Sequence, residues 1–239
     1  MTEPLPYDLI TFDCFGTLID WESGIRAVVE KLAAAHKVQA DAGALVERYI
    51  RIELAVEQSG YKSYRAVQAL SLRLLFEELG VRLSSREADS LSAALPRWKP
   101  FPECARVLKA LKRAGYRLAV LSNADTAPLK KSLSRLGVAF DHLVPAQQVR
   151  SYKPRTRHWK KVLSQARVQK SRALHVASSM IHDIIPAKTL GLPCAWVCRN
   201  GGKALSGTRP NHVLCDLSPL LTLLVPPRKR RGVSGSHRR

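Results

Sequence analysis

The sequence predicts a doubly wound α/β fold, a parallel sheet with helices on both faces, interrupted by a helical insertion. Three observations carry this expectation. Short runs that are apolar along their whole length recur down the chain, as strands covered on both faces do. Helical patterns separate them, and most end on glycine, which stops a helix. One long stretch in the first half is helical throughout, with no strand to break it.

In chain order, YDLITFD (residues 7–13) reads as the first strand. Residues 21–97 then offer only helical periodicity, in segments 24–36, 42–58, 64–79 and 85–95. Four helices inserted after one strand read as a small separate bundle, a cap, joined to the rest near residues 20–24 and 96–102. Beyond it the alternation resumes: a helix over 102–114 closed by Gly115, strand Arg117 to Ser122, a helix over 126–136 closed by Gly137, and strand His142 to Pro145. A helix over 156–167, strand Ala173 to Ala177, a helix over 183–190 closed by Gly191 and strand Cys194 to Val197 complete the pattern. Such alternation predicts a Rossmann-like core built from residues 1–20 and 98–225, with the cap at 21–97. The remainder, PPRKRRGVSGSHRR (226–239), lacks apolar periodicity and reads as a disordered basic tail.

Composition narrows the function classes. With 46% hydrophobic and 24% charged residues among 239, the chain suits a soluble domain with a substantial core. No apolar run approaches the ~20 residues that span a bilayer, so no membrane partner is expected. The start MTEPLPYDLITFD has no apolar leader, which makes the cytoplasm the expected compartment. Five cysteines (14, 104, 194, 198, 215) without a C-x-x-C pair fit neither a disulfide framework nor a zinc site. Cys194 and Cys198, in one apolar run, would share a face roughly 13 Å apart, too far to bridge. Net charge is +20 and uneven: residues 1–97 hold 11 basic and 14 acidic side chains, 98–225 hold 22 and 5, and 226–239 hold 6 and 0. A field of that sign concentrates anions, small substrates and nucleic acid alike.

Ligands of an open parallel sheet bind beyond the carboxyl ends of its strands. Polar residues gather at those ends: Asp13 after the first strand, Ser122 and Asn123 after the second, Lys153 in the loop after the third, and Ser178, Ser179 and Asp183 after the fourth. Separately, each has a bland reading as a turn or cap residue. Together they would converge on one site.

The ordered set FDCFGT, VLSNAD, SYKP and HVASSMIHD, with a helical cap between the first two, resembles the haloacid dehalogenase-like hydrolases over nearly the whole folded length. The resemblance implies that Asp13 attacks the substrate to form a covalent intermediate that water hydrolyses. It implies that Lys153 neutralises charge beside the nucleophile, that Thr17 and Ser122 hydrogen-bond the substrate's anionic part or the nucleophile, and that Asp183 positions Lys153 or the hydrolytic water. Asn123 and Ser178 join the substrate-binding set. Phosphatases of this superfamily usually carry an aspartate two residues after the nucleophile as an acid for the leaving alcohol, where this chain has Phe15. An alkoxide needs that acid and a halide does not, and such help is worth roughly 100-fold to 10,000-fold. The chain therefore looks most like the type II (S)-2-haloacid dehalogenases, which invert C2 and need no cofactor. Those enzymes carry asparagine and tryptophan where this chain has Met180 and His182, and they use a cap arginine to hold the departing halide. Arg48, Arg51 and Arg65 lie in the alignable region, and Arg51 is the expected choice. His182 is read as a packing or supporting residue rather than a general base, and Trp21 as core.

The leading expectation is thus a hydrolase acting on a small anionic substrate such as a 2-haloacid. Its alternatives are a Mg²⁺-dependent phosphatase of the same fold and a non-catalytic basic scaffold that binds nucleic acid, in part through its tail. An apolar cap face could also pair two copies into a homodimer.

Overall fold

A computed structural model of the chain describes residues 5–199, 201, 205 and 207–225; the basic run 226–239 lies outside the described residues. Among the described residues one sheet has six strands, all parallel, in the order β3-β2-β1-β4-β5-β6. They are β1 (Leu9–Phe12), β2 (Arg117–Ser122), β3 (His142–Pro145), β4 (Ala173–Ala177), β5 (Cys194–Val197) and β6 (His212–Leu214). Strand order reverses beside β1, and that reversal opens a crevice at the carboxyl ends of β1 and β4.

Between β1 and β2 run α1 (Trp21–Ala35), α2 (Ala42–Gln58), α3 (Tyr64–Glu77), α4 (Ser85–Ala88) and α5 (Ser90–Ala94). Each of the first four starts on a side chain that accepts an orphan backbone N–H: Asp20, Asp41, Ser63 and Ser84. Ser84 and Glu87 complete a reciprocal capping box. After β1 the remaining helices are α6 (Cys104–Arg113), α7 (Thr126–Ser134), α8 (Ala146–Val149), α9 (Arg157–Ala166), α10 (Ile185–Thr189) and α11 (Pro219–Leu224).

Strand residues alternate between two apolar layers because successive side chains point to opposite faces. Ile10, Phe12, Leu118 and Val120 meet one layer; Leu9, Ala119, Leu121 and Val144 meet the other, where α9 contributes the fully buried Trp159. The first layer also takes in Ile25, Val29, Tyr49, Leu72 and Phe76, so the helices of the insertion share a continuous apolar cluster with the sheet.

Three local expectations change. β6 was not foreseen. The segment expected to be helical from Asp183 begins as a π-helical turn, Met180–Ile184, capped by Ser179, and only Ile185–Thr189 is α-helical. Residues 85–95 form two short helices parted at Asp89 instead of one. The cysteines form no disulfide among the described residues, and no described helix is long and apolar enough to cross a membrane.

Candidate active site

Asp13 follows β1 directly, and its backbone N–H donates to Val176 O of β4, which fixes the strand end. The chain then turns tightly: Leu18 and Ile19 N–H both return to Cys14 O. Gly16 sits at φ +96°, where a side chain would be strained, and a Cβ there would stand 2.6 Å from Trp21 Nε1. This turn brings Thr17 back to the aspartate, where its hydroxyl donates to Asp13 Oδ2 at 2.8 Å. Ser178 N–H donates to the same Thr17 oxygen at 2.9 Å, tying the end of β4 to the turn after β1.

Lys153, in the loop between α8 and α9, is the centre of the charge arrangement. Its ammonium donates to Asp13 Oδ1 at 2.7 Å, to Asp183 Oδ1 at 2.6 Å and to Leu121 O at 3.2 Å. All three side chains are buried. Burial alone would lower the lysine's affinity for its proton, but the two carboxylates outweigh it and hold the ammonium charged. Burial would raise Asp183 too, yet Lys153 and the His175 ring hold its carboxyl down at about 2. Asp13 is left with burial as the dominant influence, and its carboxyl is raised. The arrangement therefore holds one weakly basic carboxylate beside one of raised basicity, which suits a nucleophile.

His175, within β4, was not foreseen. Its Nε2 lies 3.1 Å from Asp183 Oδ1 and its Nδ1 2.8 Å from Thr11 Oγ1. Asn123 braces Lys153 from the other side: its Oδ1 accepts the Lys153 N–H at 2.8 Å. Ser122 Oγ accepts the Ala124 N–H, leaving its own proton for a ligand.

These groups open on a cavity of about 700 Å³ whose lining includes Asp13, Phe15, Trp21, Ser122, Asn123, Lys153, Ser178, His182 and Asp183. The structure thus brings together every site residue expected from the sequence except Arg51; Thr17 stands behind Asp13. Phe15 packs edge-on against Trp98 with ring centroids 5.8 Å apart. Trp21, expected in the core, touches both the apolar cluster and the cavity.

The Arg51 expectation is corrected. Its side chain is 61% exposed and lies 4.0 Å from Glu47, one turn earlier on α2. Arg48 pairs with Glu78 and Arg65 with Asp89, both away from the cavity. The reason is helical phase: Tyr49, Glu53 and Glu57 recur every four residues along the inward stripe of α2, and position 51 faces the opposite way. The cavity's arginines are Arg26 of α1 and Arg199 after β5. Arg199 is already engaged with Glu103 and Thr17 O and lies over the Phe101 ring.

What α2 does supply is acid. Glu57 accepts from Asn123 Nδ2 at 3.1 Å through each of its oxygens, and Glu53 accepts from the Tyr49 and Tyr64 hydroxyls at 2.7 and 3.1 Å. Burial pushes the Glu57 carboxyl well above its usual range. It pushes Glu53 up to about 7, with the two tyrosine hydroxyls pulling partly back. A carboxyl raised on folding favours the fold while protonated, fully so below its ordinary 4.5, and that contribution is lost as pH climbs through about 7. Thermal unfolding of Glu53→Gln and the parent should therefore diverge between pH 4.5 and 7. The parent should lose roughly 5–10 °C relative to the variant over that window, and parallel curves would refute the assignment.

Among the described residues no cluster of three His, Cys, Asp or Glu side chains is arranged to hold a metal ion. The two carboxylates that could contribute, Asp13 and Asp183, already share the Lys153 ammonium, so the residues present do not form a ready Mg²⁺ site.

A protein-family model described as haloacid dehalogenase-like hydrolase matches residues 7–191. (S)-2-haloacid dehalogenase H-109 of Pseudomonas putida is 28% identical over 226 residues, covering 92% of this chain and 99% of its own. Glyceraldehyde 3-phosphate phosphatase of Methanothermobacter thermautotrophicus is 30% identical over 195 residues, covering 79% of this chain and 84% of its own. The solved L-2-haloacid dehalogenase from Xanthobacter autotrophicus with chloropropionic acid covalently bound superposes with a TM-score of 0.77 at 21% identity, covering 91% of this chain and 98% of that one, which shows the shared fold. With the strand-end aspartate, the buried lysine and the helical insertion all in the order that this match requires, the chain belongs to the haloacid dehalogenase-like hydrolases.

Proposed function

We propose that this hydrolase is an (S)-2-haloacid dehalogenase in which Asp13 is the nucleophile. A carboxylate oxygen of Asp13 bonds to C2 as the carbon-halogen bond breaks, halide leaves with the bonding pair, and C2 inverts. Water then adds to Asp13 Cγ and the ester breaks to give the 2-hydroxy acid. Lys153 and Thr17 orient the attacking carboxylate, Asp183 anchors Lys153, and Ser122, Asn123 and Ser178 receive the substrate's carboxylate. Residues 21–97 act as a cap that closes the cavity over residues 1–20 and 98–225. The observation that carries the reading is Phe15, an apolar side chain lining the cavity where an alkoxide leaving group would need a proton donor.

One observation favours a second reading, a phosphatase. The buried Glu53 and Glu57 are raised carboxyls lining the same cavity, and either could supply the proton that Phe15 cannot. The deciding experiment assays halide release from each enantiomer of 2-chloropropionate alongside phosphate release from sugar and triose phosphates, with and without Mg²⁺. Halide from the (S)-enantiomer without added metal is expected. Magnesium-dependent phosphate release without halide would replace the first reading by the second.

A further inference from the structure

The proposed reaction needs a base in its second half, and Asp183 is poorly placed to be one. Its Oδ1 accepts from the Lys153 ammonium and lies 3.1 Å from His175 Nε2, and those partners hold its carboxyl far below the pH at which it would take a proton from water. One residue earlier stands a group without such ties. His182 rides the π-helical turn after β4 and lines the cavity. Its Nδ1 lies 3.1 Å from Ser179 Oγ, the oxygen that also accepts the His182 backbone N–H. Its Nε2 is buried and has no hydrogen-bond partner among the described residues. The nearest charge-bearing oxygen is Glu57 Oε2 at 3.6 Å, beyond hydrogen-bond length, and Glu57 is itself fixed by Asn123. An orphaned ring nitrogen of this kind, walled by a carboxyl across the cavity, asks for a partner that the protein does not supply.

We propose that this partner is the hydrolytic water, with His182 as general base and Glu57 as the group that steadies the ring once it is charged. The inference rests on the reading of Asp13 as nucleophile and reverses the supporting role that the sequence favoured for His182. With Nδ1–H donating to Ser179 Oγ, Nε2 presents its lone pair to the cavity. The water oxygen bonds to Cγ of the Asp13 ester while its proton passes to Nε2, making an imidazolium. The tetrahedral adduct then breaks its Cγ–O bond to the substrate. The departing alkoxide takes the proton from Nε2, which restores the neutral ring, and Asp13 returns as a carboxylate carrying one oxygen from water. Burial keeps the ring uncharged beforehand, since it lowers the His182 affinity for a proton.

The test separates the two half-reactions in the full chain. Rapid-quench measurement of chloride from (S)-2-chloropropionate should show His182→Asn and His182→Gln releasing a first equivalent at the parental rate. Subsequent turnover should be roughly 100-fold slower or more, the usual worth of a general base. Intact-mass analysis should find the variants carrying a propionate adduct on Asp13 at steady state, and added imidazole should restore turnover in His182→Asn. Parental turnover without adduct would overturn the proposal. So would equal loss of the first equivalent and of later turnover with no imidazole rescue, because a structural role predicts that. A parent protein that releases no halide from either enantiomer would overturn the dehalogenase reading itself, and this proposal with it.

Discussion

Asp13→Asn lowers turnover by on the order of 10⁴-fold to 10⁶-fold, the scale of losing an essential nucleophile. The substitution is nearly isosteric, so cavity shape and the Lys153 contact at Oδ1 are largely kept. What disappears is the anionic oxygen that forms the bond to C2. The amide nitrogen, placed where Oδ2 now accepts from Thr17, would confront one donor with another. Halide release measured against the parent, combined with mass analysis of protein turned over in ¹⁸O water, checks both halves of the claim. Label should enter residue 13 of the parent and never of the variant. Activity within tenfold of the parent would show that another group makes the covalent bond.

Lys153→Met is expected to cost both activity and fold. The ammonium neutralises two buried carboxylates at 2.7 and 2.6 Å, and its removal leaves them facing each other without compensation. Breaking a buried ion pair from one side costs about 3–5 kcal/mol, which at this chain length corresponds to a Tm lower by roughly 10 °C. The pH dependence follows from Asp183. Its depressed carboxyl gives stability that is present above its ordinary 3.8 and is lost as pH falls through about 2. Without Lys153 that contribution vanishes, so the variant's deficit should be widest near neutrality and narrow below pH 4, where carboxyls take up protons. Melting curves at pH 7 and pH 4 decide it, and an equal deficit at both would show that the charge network is not what the lysine sustains.

Much of this was legible because parallel strands buried on both faces cannot hide. Arg117–Ser122, His142–Pro145, Ala173–Ala177 and Cys194–Val197 have the bounds that their apolar runs announce. β6 escaped because it is a three-residue edge strand whose Val213 is 61% exposed, so it carries no run to read. The helix expected from Asp183 starts late because Ser179 caps a wider turn and Pro186, lacking an N–H, sits in the first turn of α10. Site residues at strand ends were legible for a geometric reason, since strand order alone decides which ends meet. The cap wall was not. Tyr49, Glu53 and Glu57 form a visible stripe of period four, but which stripe of α2 faces the nucleophile is set by packing against helices distant in sequence. Arg51 was misplaced for that reason. His175 gave no signal at all, being one polar residue inside the apolar run ALHVA.

The strand that carries the nucleophile sits between neighbours made long after it. Leu9 pairs with Arg117 on one side and Ala173 on the other. During synthesis at roughly 5–20 residues per second, β1 would emerge roughly 5–20 s before its first neighbour and roughly 10–30 s before its second. Throughout that interval LITF, buried at all four positions in the finished protein, has no sheet to join. The nascent chain must shelter its earliest greasy segment, in the ribosomal vestibule, on a chaperone or against its own newly formed helices, until the middle of the message has been read.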